Sequence, residues 1–525
     1  MKSSINTRHI AVCLALFVFA AYMLFYNIGG RPLWGDEAES ALLAVNITKY
    51  GLPVNSDGKN TITLYGQNVD SNENHIWTWR PWLGEYLMAA SFSILGKSTT
   101  AARLPFAIVG FISVFALMFL VFRISGDFNK AVLSTLLFAA SELFILHARQ
   151  GRYYALIILG QIWLIYGIYL VLKHDARPGK WSGILHGAAA LSVQFYCNYL
   201  VVPGNVIAIG IWAVLMRRRC SGILHRLGLL FLLFVLTSLP WLLYARPWRQ
   251  GSYAGGVNFI QGVLVYSKEI HFHVFPVTLL LLPVCYFIYH RFRGVAAASE
   301  ETPIEADPIE IEIVKLLWLI VPLQVLILSF GPGQNLRYIT PLLPVFAIIE
   351  AGLIMRYVRP AILRAALTIV LVASNFAACP FDHRHEARLT IVNLIHSIAA
   401  PYTNRLADVV NYLRNDGLPG QSVFVFDPEF PLIFYTDMKI IDARISNSFS
   451  ADKLPDWVFP VSASGISGKS AIGPSEVIHK YYDTVTIAVH NSSRVGDAPE
   501  PDFHEYFTNH DIVPMTVYKR KDVAG

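Results

Sequence analysis

The chain has 525 residues, enough for three or four soluble domains. Yet 54% of them are hydrophobic, only 15% are charged, and mean hydropathy is +0.46. Soluble chains carry about 25% charged residues, so a cytosolic enzyme, a disordered chain and a coiled coil are excluded and a polytopic membrane protein is expected. The net charge of +6 does not call for nucleic acid, because basic residues gather in the cytoplasmic loops of membrane proteins. Five cysteines, at 13, 197, 220, 285 and 379, form no Cys-x-x-Cys and no zinc spacing, which argues against redox chemistry and a disulfide framework.

A membrane-spanning helix takes about 17–25 apolar residues. The first apolar run, 10–28, follows Lys2 and Arg8. It is too long for a signal peptide and no small-residue cleavage site follows, so it reads as a span with its N-terminus inside. The first outer loop, 29–103, opens with RPLWGDEAE at 31–39. Asp36-x-x-Glu39 fits a capping box for a helix running to about residue 50, with Gly51 as its stop and Pro53 beyond. The same carboxylates are also a candidate acid–base centre, since burial beside lipid raises a carboxylate pKa toward working pH. The two roles can coexist. Later in the loop, LGEYLMAASFSIL at 83–95 is too short to span and contains Glu85, which predicts an interfacial or re-entrant helix.

Further apolar runs fall at 104–122, 131–147, 155–172, 182–197, 200–216, 227–244, 272–289, 313–330, 339–355 and 361–378. If 83–95 does not span, the loops 122–130, 173–180, 217–226, 290–293 and 356–364 share one side and hold most of the Lys and Arg of this half. The expectation is eleven spans, N-terminus in, C-terminus out. SEETPIEADPIEIE at 299–312 is acidic and contains proline, as a mobile cytoplasmic linker would be. After 378 the composition becomes that of a soluble domain. There RLADVVNYLR at 405–414, closed by Asp416-Gly417, has helical spacing, and 422–426, 484–489 and 515–518 read as strands. The predicted organisation is an all-α membrane domain over 1–378 and an extracytoplasmic α/β domain over 379–525, with no internal repeat.

Basic groups collect on the predicted outer face: Arg80, Arg103, Arg149, Arg152 and Arg337. The planar arginine fork suits phosphate, so the set suggests a lipid phosphate, with interfacial snorkelling as the alternative for each residue alone. Glu142 lies seven residues before Arg149 on roughly the same face and is expected to pair with it. Glu269, His271 and His273 alternate acid and imidazole, and with His75 as a third nitrogen donor they are a candidate zinc set; interfacial histidines without metal are the competing reading. The sequence has no Walker loop, no dinucleotide-type glycine pattern, no Gly-x-Ser-x-Gly and no His-Glu-x-x-His.

Taken in order, several motifs resemble the polytopic GT-C glycosyltransferases, particularly the group of the lipid A aminoarabinose transferases and protein O-mannosyltransferases. They are Asp36-Glu37 after the first span, Tyr50-Gly51-Leu52-Pro53, Arg80-Pro81-Trp82-Leu83-Gly84 and Ala102-Arg103-Leu104-Pro105. Ala148-Arg149-x-x-Arg152-Tyr153 and Arg337-Tyr338-x-x-Pro341-Leu342-x-Pro344 complete the set, which covers about 30–360. Where the family often shows an acidic-Lys-Pro-Pro-Leu stretch, this chain has Trp79-Arg80-Pro81-Trp82-Leu83: the charge is kept and a proline becomes tryptophan.

The resemblance implies sugar transfer from a polyprenyl-phosphate donor to a lipid, glycan or protein acceptor at the outer face of a plasma (inner) membrane. Nucleotide sugars are cytoplasmic, so an outer-face transferase needs a sugar already carried across on lipid. In this scheme Asp36 is the general base, helped by Glu37. Arg80, Arg103, Arg149, Arg152 or Arg337 holds the phosphate leaving group, with Tyr338 as a hydrogen-bond donor. In-line attack with one base inverts the anomeric centre. Arginines can balance the leaving-group charge in place of a divalent metal, so no cofactor is required. A transporter or flippase, for which the sequence offers no paired broken helices, and a non-catalytic envelope scaffold are the alternatives.

Overall fold

The computed structural model describes residues 7–64, 67–173, 181–218, 222–249, 258–293, 307–331, 333–378, 387–425, 429–442, 454–459, 475–492 and 498–523. Two compact units emerge. One comprises Met1–Tyr26, Phe106–Arg149 and Tyr153–Leu394; the other comprises Asn27–Pro105, Gln150–Arg152 and Ile395–Gly525.

Among the described residues, seven helices are long and apolar enough to cross a membrane: Thr7–Phe25, Thr99–Ser125, Tyr154–Lys173, Tyr199–Met216, Ile223–Arg249, Pro308–Ser329 and Leu336–Tyr357. The chain is a multi-pass membrane protein. Two further runs are broken: Phe128–Ala139 meets Glu142–Ala148 at 63°, and Phe259–His273 meets Val277–Tyr289 at 84°. Both breaks have local causes. Ser141 accepts from the Phe144 N–H at 3.4 Å and starts a new helix, while Pro276 brings no N–H to continue the old one. The expected absence of broken helices is therefore corrected.

Among the described residues the expected eleven spans are not all found: seven helices qualify, or nine if each bent pair counts once. The run 182–197 becomes a 16-residue helix, Ser182–Cys197, about 24 Å long at 1.5 Å per residue and short of a hydrocarbon core of about 30 Å. The run 361–378 forms only Ala361–Ala373 and stops at Ser374.

Inside this first unit the helices approach closely through small residues. A Cβ on Gly167 would lie 2.6 Å from the Gly187 backbone nitrogen, the kind of contact that small residues permit in membrane helices. Three buried amides, Gln161, Gln194 and Asn205, satisfy one another through hydrogen bonds of 2.7–3.3 Å. Glu142 pairs with Arg388 at 3.1 Å rather than with Arg149. Arg149 instead donates to the carbonyls of Met23 at 2.8 Å and Tyr26 at 3.0 Å, acceptors that the end of the first helix leaves without an intrahelical donor. The expected linker 299–312 is helical from Pro308, with Asp307 as N-cap accepting from the Ile309 N–H at 2.8 Å and Glu310 paired with Lys130. Residues 299–306 lie outside the described residues.

The second unit joins the loop 27–105 to the tail. Its loop helices are Gly35–Tyr50 and the short Leu83–Leu95. Its tail carries a five-stranded mixed sheet: β1 Ser422–Val425, β2 Lys439–Asp442, β3 Trp457–Val458, β4 Tyr482–His490 and β5 Ile512–Arg520, in the order β2-β1-β3-β5-β4. β1 runs parallel to β2 and β3, whereas β5 is antiparallel to β3 and β4. Phe424, Val458, Ile478 and Tyr482 pack together in its core.

Loop and tail are stitched by hydrogen bonds. Asn60 accepts from the Ile440 N–H at 2.8 Å and donates to the Met438 carbonyl at 3.2 Å. The Tyr435 hydroxyl accepts from the Leu33 N–H at 2.8 Å and lies 2.7 Å from the Thr99 hydroxyl. Arg31 donates to the carbonyls of Ser397 and Glu505 at 3.1 and 2.7 Å.

Candidate active site

The acidic loop motif lies at the start of the Gly35–Tyr50 helix. Trp34, not Asp36, is the N-cap, and Glu37 accepts from the Trp34 N–H at 3.4 Å. The capping reading of Asp36-x-x-Glu39 is thus corrected. Tertiary contacts set the register: the Trp34 indole donates to Gln150 at 2.9 Å, and the preceding Leu33 N–H is held by Tyr435. Asp36 falls inside the first turn, where the positive end of the helix dipole favours a carboxylate. At the other end Gly51 adopts φ 75° and donates to the Ile47 carbonyl at 2.8 Å, a left-handed stop that glycine makes without strain.

Glu37 has no exposed surface. Arg103 grips it through Nε at 2.9 Å and Nη2 at 2.6 Å, and the Gly151 N–H donates to Oε1 at 2.7 Å. Arg103 also donates to the carbonyls of Ile28, Arg31 and Pro32 at 3.1–3.3 Å. One guanidinium thereby fixes both the acid and the chain leading to it. Glu39 and Glu85 share Arg80, each at 2.7 Å. Ser40 accepts from Arg80 and from Arg152 at 2.9 Å each. Burial pushes the Glu39 carboxyl above its usual range, with Arg80 and Arg152 opposing the shift and Asp36 adding to it.

Asp36 differs from these acids. Arg152 donates to its carbonyl at 2.8 Å and to Oδ2 at 3.3 Å. Its side chain is 24% exposed, against 0% for Glu37, 1% for Glu39 and 2% for Glu85. Of the four carboxylates, Asp36 alone has a substantial surface from which to take a proton.

The structure brings Asp36, Glu37, Arg80, Arg103 and Arg152 together in the second unit, while Arg149, Arg337 and Tyr338 belong to the first. The forks of Arg80, Arg103 and Arg152 reach carboxylates, carbonyls or the Ser40 hydroxyl, and that of Arg149 reaches the first helix. Arg337 lies beside Tyr338 with its guanidinium 5.7 Å from the ring centre.

Of the zinc candidates, Glu269 and His273 come together and could each offer a ligand atom to a metal ion. His271 uses both ring nitrogens, accepting from the Val277 N–H at 3.0 Å and contacting the Ala378 carbonyl at 3.1 Å. Glu269 and His273 are 3.5 Å apart on one helix face, and His75 is a left-handed turn residue (φ 60°) of the other unit. Sequence reasoning missed Gln150, the Gly151 N–H and Tyr435 as parts of the site, because each is positioned by a fold contact with no sequence pattern of its own. Glu85 and Arg80 were both visible in the sequence, but their pairing was not.

The helical membrane domain and the small C-terminal sheet have a GT-C-like fold. Residues 79–241 match the model of the dolichyl-phosphate-mannose-protein mannosyltransferase family. The fold is similar to that of ArnT from Cupriavidus metallidurans in two crystal structures. For the form bound to undecaprenyl phosphate the TM-score is 0.53 at 12% identity, over 98% of both chains. For the apo form it is 0.54 at 12% identity, over 99% of this chain and 98% of that one. No curated protein sequence matches the chain.

Proposed function

We propose that this protein is a membrane glycosyltransferase that moves a sugar from a polyprenyl-phosphate donor to an acceptor hydroxyl, with Asp36 as general base. The observation that carries the reading is the contrast between Asp36 and its neighbours. It is the partly exposed carboxylate, 24% exposed and paired with Arg152, in a cluster whose other acids are buried. The family match over 79–241 supports sugar transfer, and the undecaprenyl phosphate held by the fold relative supports the donor class.

In the proposed reaction Asp36 takes the proton from the acceptor hydroxyl as its oxygen attacks the anomeric carbon. The bond from that carbon to the phosphate oxygen breaks, the phosphate leaves with the electron pair, and configuration inverts. Arg152, which reaches Asp36, is the proposed phosphate ligand. The proposed role of Glu37 is to hold Arg103 and the Gly151 N–H in place beside Asp36. The proposed arrangement keeps the N-terminus cytoplasmic, with the loop–tail unit on the extracytoplasmic side of a plasma (inner) membrane and the remaining helices as the membrane body.

Asp36→Asn tests this in a purified transfer assay with polyprenyl-phosphate sugar. Turnover falls by at least about 100-fold, the lower range for loss of a general base, while the melting temperature stays near wild type because Asp36 is not the cap. Full transfer by the variant would refute the assignment. A transporter draws support from the two bent helix pairs, but in that case Asp36→Asn would leave no transfer to lose.

A further inference from the structure

A cavity of about 250 Å³ lies in the second unit, at the end of the Gly35–Tyr50 helix away from Asp36. Lys49 on its wall is about 20 Å from Asp36 along that helix, at 1.5 Å per residue, so the cavity is separate from the candidate active site. Lys49, Lys59 and Lys97 meet there with Asp57, Asp437 and Asn60. Pockets for drug-sized ligands run to about 300–1,000 Å³, so this one suits a single sugar or headgroup.

The walls are fixed by their own hydrogen bonds. Asp57 turns its loop by accepting from the N–H groups of Lys59 and Asn60 at 2.8 and 2.6 Å. Asn60 is tied to β2 and the residue before it, and Lys59 donates to the Asp437 carbonyl. The positive charges are less well matched. Lys49 and Lys97 have no ion-pair partner among the described residues, and the Lys97 ammonium lies over the Phe434 ring at 4.7 Å. Partial desolvation, together with Lys49 and Arg414, holds the Lys97 pKa below the usual lysine value, against the opposing pull of Asp437 and Asp57. An anion between Lys49 and Lys97 would relieve that repulsion, while the carboxylates of Asp57 and Asp437 offer acceptors for hydroxyls.

We propose that this cavity binds a sugar bearing a phosphate or carboxylate. The proposal stands whether or not Asp36 is the base. Isothermal titration of the full chain in detergent, with glucose 6-phosphate, glucose and inorganic phosphate as probes, tests it. Glucose 6-phosphate is expected to bind more tightly than either other probe. Lys49→Gln and Lys97→Gln should each weaken it about tenfold, the loss of one charge-assisted contact. Asp36→Asn should bind it like wild type, which separates failure here from failure of the transfer assignment. No binding to the wild-type chain, equal binding of glucose or of inorganic phosphate, or full binding by both lysine variants would overturn the proposal.

Discussion

Replacing Glu37 by glutamine tests whether this buried acid holds the site together or takes part in the reaction. The change removes the charge that faces Arg103 at 2.6 and 2.9 Å and turns an amide N–H₂ toward a guanidinium. Removing one partner of a buried pair costs about 3–5 kcal/mol, because the other charge stays buried without compensation. For a unit of about 200 residues, each kcal/mol moves Tm by roughly 2–4 °C, so a fall of roughly 6–20 °C is expected. Thermal unfolding of the purified protein, followed by the loop–tail unit's own signal, measures it. The double variant Glu37→Leu/Arg103→Met should recover much of the loss, since a well-packed apolar pair often replaces a buried ion pair at little cost. If Glu37→Gln melted like wild type yet lost transfer as Asp36→Asn is expected to, the holding role would be refuted and Glu37 would belong to the chemistry.

Tyr435→Phe removes the hydroxyl shared by the Leu33 N–H and Thr99; the orphaned partners cost about 1–3 kcal/mol, read as a lower Tm and faster proteolysis at the loop–tail junction. Gly167→Ala places a methyl against the Gly187 backbone, and overpacking of about 1–3 kcal/mol should lower the yield of folded protein in detergent; unchanged yield and Tm would show that these helices shift freely. Burial raises the Asp70 carboxyl above its ordinary 3.8. Between that value and its folded pKa the native state keeps a proton that the unfolded chain has lost, so stability falls as pH rises through this window. Asp70→Asn should flatten that slope in melts taken across the acid range, and an unchanged slope would place its origin elsewhere.

Much of the membrane body was legible from run length alone, and so was the 83–95 helix, whose thirteen residues and internal Glu85 ruled out a span. Direction was less legible. Hydropathy counts apolar residues but does not register a 63° or 84° bend, although Pro276 was a visible signal for the second. The Glu142–Arg149 pair was drawn on a helical period that does not persist, because Glu142–Ala148 ends before Arg149. The capping box failed for another reason: tryptophan is no usual N-cap, and Gln150 and Tyr435 impose that register from distant parts of the chain. The arginines beside the apolar runs stood out in the sequence, but their partners depend on three-dimensional packing. Charge on a fork does not say whether phosphate or carboxylate will fill it. β2 and β3 were missed because four and two residues are too few to show a period.

The hydrogen bonds of Arg31 set a timetable for assembly. The arginines that lock the acidic cluster have all left the ribosome by residue 152, so its ionic core has its partners early. Arg31, five residues before Asp36, must wait for a carbonyl made 474 residues after it. At roughly 5–20 residues per second that interval is about 25–95 s. Through it, the first loop holds its carboxylates and arginines without the chain that completes its unit. The loop therefore spends that interval as a half-built surface, and its unit is finished only when the carbonyls of Ser397 and Glu505 reach Arg31.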